Sequence, residues 1–360
     1  MVTIKDIADR LDISVSTVSK GLNGGKDISE SLRQQVLDTA VEMGYTSKRK
    51  ARSNKRIAFL IENMSCERED DFGYELLLGF QQAAFREKDV VEIIPVTPEF
   101  QKEVRYDNYM LENDYAGAFL LGFALNDPWM QQFQDTSFPT LLLDNFVPTN
   151  PKLSYVGTDS EEGIEMAISH LVSLGHEKIA FLDGSKDSMI SDQRMRAYLH
   201  SMNAYHLPVD PNLAVYGYFV ADAAKYHVPS FLDLGATAIV CGNDSIAQGV
   251  IESVNAAGFS VPEDISVIGF DDMPFASELN PPLTTVRQNR GELGKCAFYI
   301  MKAIISGIPA SKILLRPALI LRKSTAIAKP RIVVRRYDSM DSVSKVNPRL
   351  YEESIKEQLS

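Results

Sequence analysis

Apolar and polar positions alternate with helical periodicity over the first 23 residues, and this pattern predicts two short helices joined by a tight turn. Thr3, with Asp6 three residues later, can satisfy the free N–H groups of a first helical turn. Asp12 can occupy the left-handed turn that ends this helix, and Ser14 can cap a second one. The apolar face of the first helix consists of Ile4, Ile7, Ala8 and Leu11.

The predicted second helix turns Val18 and Leu22 inward and presents mainly small side chains to the outside. The outward residues are Val15, Ser16, Ser19 and Lys20. Such a surface fits the major groove of DNA, although a merely solvated pair of helices has the same pattern. A third helix is predicted within residues 27–43, with Ser29 as its cap, so three helices can enclose a small core.

From Arg56 onward, short apolar runs alternate with amphipathic helices, and this pattern predicts a doubly wound parallel α/β sheet. The pattern restarts after a break, so two similar subdomains with a cleft between them are expected. Ligands of such sheets bind beyond the carboxyl ends of the strands. Polar residues follow these predicted strands at Glu62, Asp144, Asp183, Asn243, Asp244, Asp271 and Asp272.

The distribution of charge separates the beginning of the chain from the rest. The formal net charge of the 360 residues is −11, yet residues 1–56 carry 11 Lys and Arg against 7 Asp and Glu, and the remainder carries 26 against 41. A basic segment on an acidic body is typical of a DNA-binding module attached to a domain with another role. Six of the nine residues 48–56 are basic, so this linker is expected to contact phosphates or the minor groove rather than to be only a solvated charge run.

Several classes of protein lack support in the sequence. The three cysteines are far apart and show no metal-ligand or disulfide spacing. No nucleophile elbow, phosphate-binding loop or dinucleotide fingerprint is present, and neither an export signal nor a membrane-spanning run is found. The sequence therefore predicts a cytoplasmic protein without catalytic residues, metal or cofactor.

The segment VTIKDIADRLDISVSTVSKGLNG, followed by VLDTAVEMGY, resembles the DNA-binding head of the lactose-repressor (LacI/GalR) family of bacterial regulators. The body resembles that family's effector-binding core, itself similar to periplasmic sugar-binding proteins, through HLVSLGHEKIAFLDG, VCGNDSIAQGVIESVNAAGFSVPEDISVIGFDD and PPLTTVRQ. The resemblance covers about Val2 to Thr325.

The resemblance implies an α/β protein whose core has two periplasmic-binding-protein-like subdomains. The expected segments are a helix-turn-helix head at 1–46, a basic hinge at 47–56, the effector-binding core at 57–325 and an extension at 326–360. Within the core, the N-subdomain is expected at about 57–157 plus 289–320 and the C-subdomain at about 158–288 plus 321–325.

Two segments depart from the family pattern. Ser47 stands where relatives have a proline, and Asn54 lies about where a leucine wedges into the minor groove, so the hinge looks shortened and without its wedge. In the extension, residues 331–337 are strand-like and residues 348–359 could form a polar helix. The extension either enlarges a dimer contact or is a loosely attached tail.

Carried over residue by residue, the resemblance implies that Val15, Ser16 and Lys20 read bases, while Thr17 and Ser19 hold phosphates. Val15 can offer only apolar contact, whereas Lys20 could donate to guanine acceptors. The full set expected to contact DNA is Thr3, Ser14, Val15, Ser16, Thr17, Ser19, Lys20, Asn23, Arg49, Lys50, Arg52 and Lys55.

The resemblance also implies an effector site suited to a polyol, since carboxylates accept from hydroxyls and arginine makes bidentate contacts. For the aspartates, capping at strand ends is the alternative. Phe72, and either Phe219 or Tyr218, match places where relatives offer an aromatic face, and Arg290 could pair with an anionic group of a phosphorylated or acidic sugar. The expected effector-binding residues are Phe72, Asp144, Arg194, Phe219, Asn243, Asp271 and Arg290.

The sequence thus predicts a regulator, in the first place a repressor, that binds a pseudo-palindromic operator as a homodimer. A carbohydrate effector would close the cleft and change operator affinity. The sign of this response stays open, because relatives include both induced and co-repressed members. The competing hypothesis is a cytoplasmic sugar-binding or enzymatic protein with a regulatory head, which the missing catalytic motifs and export signal disfavour.

Overall fold

The computed structural model describes residues 2–25, 27–45, 54–147 and 149–329. The expectations for Arg49, Lys50 and Arg52 of the linker lie outside the described residues. The same holds for the strand and helix expected at 331–337 and 348–359.

The head consists of three helices, α1 (Ile4–Leu11), α2 (Val15–Leu22) and α3 (Glu30–Glu42). Thr3 and Asp6 form a reciprocal capping box, in which Thr3 N donates to Asp6 Oδ2 at 2.7 Å. Asp12 has a left-handed backbone (φ 53°), and Ser14 Oγ accepts a bond from Thr17 N at 3.1 Å. The predicted caps of α1 and α2 and the turn between them are confirmed.

The strands and helices of the body alternate in chain order. The strands are β1 (Arg56–Ile61), β2 (Val90–Pro95), β3 (Gly117–Leu121), β4 (Thr140–Leu143), β5 (Leu153–Thr158), β6 (Ile179–Asp183), β7 (Ala214–Tyr216), β8 (Ala238–Cys241), β9 (Ser266–Asp271), β10 (Thr284–Arg287), β11 (Lys312–Leu315) and β12 (Ala318–Ile320). The helices are α4 (Phe72–Arg86), α5 (Pro98–Glu103), α6 (Tyr106–Glu112), α7 (Pro128–Gln132), α8 (Ser160–Ser173), α9 (Met189–Ala204), α10 (Ala224–Asp233), α11 (Asp244–Ala256) and α12 (Arg290–Ile305).

The strands form two six-stranded sheets, in the orders β11-β5-β4-β3-β1-β2 and β12-β10-β9-β8-β6-β7. All neighbouring strands run parallel except β12, which pairs antiparallel with β10. The central strands β3, β4 and β5 are buried at every residue, as expected for parallel strands covered on both faces. The predicted α/β class with a helical head is confirmed.

The chain passes between the two sheets three times, after β5, after β10 and after β11. The last passage precedes Ala318, because Ala318 pairs with Arg287 of the second sheet. Residues 318–320 therefore belong to the second sheet, which corrects the expected boundary at 320. Ala326 and Ala328 also attach to this half, since their N–H groups donate to Ser266 Oγ at 3.0 Å and Leu174 O at 2.9 Å.

Within the described ranges, no helix is long and apolar enough to cross a membrane, and no group of three His, Cys, Asp or Glu side chains could hold a metal ion. The three cysteines are free, and Cys241 is buried in the second sheet.

Helices α4 and α12 pack so closely that glycine is required at their contact. A methyl group on Gly79 would lie 2.1 Å from Gly291 O, and one on Gly294 would lie 2.0 Å from Leu76 O. The N-subdomain core between these helices and the sheet includes Phe80 and Phe298, whose ring centroids are 5.5 Å apart.

We expect Gly79→Ala to lower the free energy of unfolding by about 2 kcal/mol, because the added methyl forces the two helices apart. Gly291→Ala is the matched control: a methyl group there meets nothing within 4 Å, so helix propensity alone should leave stability equal or slightly higher. Chemical denaturation measures both variants, and equal stability of the two would contradict the close-contact explanation.

Candidate DNA-binding surface and effector site

The N-terminus of α2 carries a cluster of hydroxyl groups beside an exposed apolar side chain. Ser14 Oγ lies 2.7 Å from Ser16 Oγ and 2.8 Å from Thr17 Oγ1, in addition to capping the helix. Val15 is 49% exposed. Because Val18 is fully buried beneath this surface, α2 has one face in the head core and an opposite face available for a groove.

Lys20 does not stand alone on the exposed face of α2. Its Nζ forms an ion pair with Asp27, and this lysine holds the pKa of the Asp27 carboxyl below its usual range. Both side chains are about half exposed, so the ion pair is weak and Lys20 can leave Asp27 to contact a base or a phosphate. Sequence reasoning missed Asp27, which lies seven residues away and meets Lys20 only through the fold.

Three other residues expected to contact DNA have structural partners. Asn23 Nδ2 donates to Ser19 O at 2.6 Å and so binds the last turn of α2. The backbone N–H of Lys55 donates to Asp89 Oδ1 at 2.6 Å, which anchors the chain just before β1. Thr3 caps α1 through its capping box with Asp6.

A cavity of about 390 Å³ lies between the two sheets, at the carboxyl ends of several strands. Six of the seven residues expected from the sequence line it, namely Phe72, Asp144, Arg194, Phe219, Asn243 and Asp271. Its wall also includes Asn63, Asp70, Phe123, Asp187 and Gln288.

Arg194 forms the centre of the polar wall and is only 3% exposed. Its Nη1 donates to Gly242 O at 2.6 Å, and its guanidinium carbon lies 3.9 Å from the centroid of the Phe270 ring. Burial raises the pKa of the nearby carboxyls of Asp144 and Asp183, while the charge of Arg194 lowers both. One buried cation therefore balances several carboxyl groups.

Asp144 and Asp271 reach the cavity from the ends of β4 and β9. Both have positive φ angles, 51° and 115°, which are uncommon outside glycine. Asp271 Oδ1 accepts a bond from Gln288 Nε2 at 2.7 Å. Asp144 Oδ1 is enclosed and has no hydrogen-bond partner among the residues that the structure describes. Asp144 lines the cavity, and a carboxyl group with an unpaired oxygen is suited to a polar group of a ligand.

Asn243 has two roles at the cavity. Its Oδ1 accepts a bond from Ile246 N at 2.8 Å and caps α11, while its Nδ2 lies 3.4 Å from Phe219 O. Phe219 packs over Gly184, where a Cβ would lie 2.1 Å from the ring. Glycine at this position thus lets the aromatic ring approach the wall. Tyr218, the alternative aromatic, does not line the cavity.

Arg290 lies behind the wall, which corrects the expectation that it would bind an anionic group of the effector. It is 2% exposed, its Nη2 is 3.1 Å from Glu75 Oε2, and its Nη1 donates to Asp271 O at 3.1 Å. Its charge is already paired with Glu75, and the side chain holds Asp271 in place. Sequence reasoning failed here because a position in a helix does not tell which layer its side chain reaches.

Comparisons with known proteins agree on the type of protein. The family model described as "Bacterial regulatory proteins, lacI family" matches residues 3–48, and that described as "Periplasmic binding protein-like domain" matches residues 168–325. The HTH-type transcriptional repressor PurR of Vibrio atlanticus (strain LGP32) is 28% identical over 305 residues, which are 84% of this chain and 91% of that relative. The chain belongs to the lacI family.

Other members of the lacI family match over similar lengths. The HTH-type transcriptional repressor CytR of Escherichia coli (strain K12) is 27% identical over 332 residues, covering 90% of this chain and 96% of that relative. A crystal structure of a regulatory protein of LacI family from Chloroflexus aggregans has a TM-score of 0.67 and 26% identity, covering 75% of this chain and 98% of the other. The chain is therefore a DNA-binding transcriptional regulator of the lacI family.

Several cavity residues of this lacI-family regulator were not expected from its sequence. Asn63 and Gln288 come one or two residues after β1 and β10, and Asp187 follows β6. All three follow strands, and this position is the signal that the sequence carries for them. Asp70 lies in the loop before α4, and no sequence signal marks it.

The buried position of Asp144 predicts a pH dependence of stability in the ligand-free protein. Burial raises the pKa of the Asp144 carboxyl from its ordinary 3.8 to about 7. The folded protein therefore holds a proton that the unfolded chain releases, and this contribution is complete below about pH 4 and lost as the pH rises through 7. Between pH 6 and pH 8 the loss is about 1 kcal/mol.

Asp144→Asn removes the titrating group at nearly constant shape. We expect the fall in Tm from pH 6 to pH 8 to be about 2 °C smaller in Asp144→Asn than in the unmodified protein. Comparing the two proteins cancels the contributions of the other titrating groups to the change in Tm. One of these groups is Asp183, because burial raises its pKa to about 7 as well. Identical pH profiles of the two proteins would contradict a protonated Asp144.

Proposed function

We propose that this regulator is a repressor that binds a pseudo-palindromic operator as a homodimer, and that a small neutral polyol, such as a sugar, in the cavity changes its operator affinity. The observation that carries the proposal is the cavity wall, which Asp144, Arg194 and Asp271 line together with Phe72 and Phe219. Carboxylates accept from ligand hydroxyls, the guanidinium donates, and aromatic rings cover the apolar face of a sugar ring.

The charge of the wall favours a neutral ligand over an anionic one. Four carboxyl groups, those of Asp70, Asp144, Asp187 and Asp271, line the cavity with one guanidinium, that of Arg194. Arg290, the second cation of this region, is paired with Glu75. A phosphate or carboxylate on the ligand would meet the like charges of Asp70 and Asp187, with only Arg194 to oppose them, which disfavours binding.

Exposed apolar side chains support a homodimer along one side of the N-subdomain. Phe85 and Leu78 of α4 are 84% and 44% exposed, and Val90 and Ile93 of the neighbouring strand β2 are 48% and 45% exposed. β2 forms an edge of its sheet. A twofold contact along this side would cover both the apolar patch and the open edge, and would present two α2 helices to two half-sites.

A thermal-shift panel tests the ligand class. A neutral sugar or polyol that binds should raise Tm by several degrees, since occupancy at 100 times Kd adds about 2.7 kcal/mol to the free energy of unfolding. Asp144→Asn should lose most of this shift. Asp233→Asn, which changes an exposed carboxyl of α10, should keep it.

Two results would contradict the proposal. One is a shift with phosphorylated or acidic sugars but with no neutral compound. The other is an equal shift in Asp144→Asn and in the unmodified protein, which would place the ligand outside the cavity described here.

A further inference from the structure

Helix α3 of the head contacts helix α6 of the N-subdomain through polar side chains. Asp38 Oδ1 accepts bonds from Asn108 Nδ2 at 2.8 Å and from Arg105 Nη1 at 3.2 Å. One turn earlier on α3, Arg33 Nη2 lies 3.6 Å from Glu112 Oε2. We call Arg105, Asn108 and Glu112 the head seat. It binds α3, and so leaves the exposed face of α2 uncovered.

Apolar packing continues across the same contact. The buried side chains of the head and those behind the head seat form one hydrophobic cluster, which includes Leu37 and Ala40 of α3 and Tyr106 and Met110 of α6. Directional hydrogen bonds beside a continuous apolar cluster fix the orientation of the head on the N-subdomain. Surface ion pairs alone would fix it less well.

An aromatic stack leads from the head seat to the effector cavity. Trp129 is fully buried, and its ring centroid lies 5.2 Å from that of Tyr106 and 6.4 Å from that of Phe123, which is nearly parallel to it. Phe123 lines the cavity. Trp129 Nε1 also donates to Val104 O at 2.8 Å, one residue before Arg105 of the head seat. The cavity wall and the seat thus share one packed group of rings.

We propose that the head seat holds the DNA-binding head in a fixed position on the core, with Asp38 as the positioning residue, and that the Trp129 stack couples this position to the cavity. Closely packed rings respond to a displaced neighbour as a unit, so a shift of Phe123 moves α6 and with it Asp38. The coupling half of the proposal rests on the proposed function.

Hydrogen exchange of the ligand-free full chain tests the seat without any ligand or DNA. Asp38→Ala removes two bonds to the core, and we expect amides of α6 to exchange about tenfold faster. Glu42→Ala is the matched control: it also removes one acidic side chain of α3, but its partner, Arg10 at 3.7 Å, lies within the head. Its α6 amides should exchange as in the unmodified protein. Unchanged protection of the α6 amides in Asp38→Ala would contradict the proposal that the head seat holds the head on the core.

Fluorescence tests the coupling, because Trp129 is the single tryptophan of the chain. A duplex selected from a random-sequence pool is added to saturation, judged by the anisotropy of a dye on the duplex. We expect the duplex to change Trp129 emission in the unmodified protein and in Glu42→Ala, but not in Asp38→Ala. Saturation without any change in emission, or an equal change in Asp38→Ala, would overturn the coupling.

The two experiments separate failure of this proposal from failure of the proposed function. If the unmodified protein bound no duplex by anisotropy, the proposed function would fall, and hydrogen exchange would still decide whether the head is seated on α6.

Discussion

Arg194→Ala is expected to lower the free energy of unfolding of the core by about 3 kcal/mol and to abolish ligand binding. The substitution removes the charged bond to Gly242 O and the stacking on Phe270, and it leaves the carboxyls of Asp144, Asp183 and Asp271 without their cation. Arg194 is only 3% exposed, so it stabilises the core as well as lining the cavity.

Arg196→Ala provides the control for this prediction. Arg196 lies two residues further along α9, is 68% exposed in its side chain, and pairs with Asp192 on the surface. Its loss should change stability by less than about 0.5 kcal/mol. Denaturant unfolding compares the two variants, and equal stabilities would show that Arg194 does not balance the buried carboxyls.

Val15→Asp is expected to weaken operator binding by about 100-fold or more. Val15 is the first residue of α2 and is 49% exposed, so the change should not disturb the head core. A carboxylate at the first position of a helix even favours helix formation. In the major groove, however, the same charge would face phosphates and base acceptors, and both half-sites of a dimer would carry it.

Val209→Asp is the matched control, since it introduces the same charge at an exposed valine of the core, 39% exposed. Its operator affinity should stay within about twofold of the unmodified protein, because the position is screened from the duplex by distance and salt. If both variants weakened binding equally, the effect would come from net charge, and α2 would not be the recognition helix.

The head could be predicted from sequence almost to the residue because its determinants are local. Thr3, Asp12 and Ser14 act on backbone groups within three or four residues, and these interactions depend little on the rest of the fold. The ion pair between Lys20 and Asp27 was missed, because it depends on how the loop after α2 folds back.

The cavity was predicted less completely because its residues meet only in three dimensions. Asp144 and Asp271 could be expected at strand ends, since the α/β topology brings such ends together. The layer in which Arg290 lies depends on its ion pair with Glu75, a residue far from it in the sequence, so no local pattern predicts it. The head seat is of the same kind, since Asp38 and Asn108 are 70 positions apart.

Operator affinity measured with and without ligand tests the central claim most directly. A duplex enriched from a random-sequence pool is titrated by anisotropy in the presence and absence of the neutral polyol that gives the largest thermal shift. We expect a two-fold symmetric motif, a preference over scrambled sequence of about 1,000-fold, and a change in Kd of about fivefold or more on adding the polyol. An equal Kd with and without the polyol, or enrichment of no motif, would contradict it.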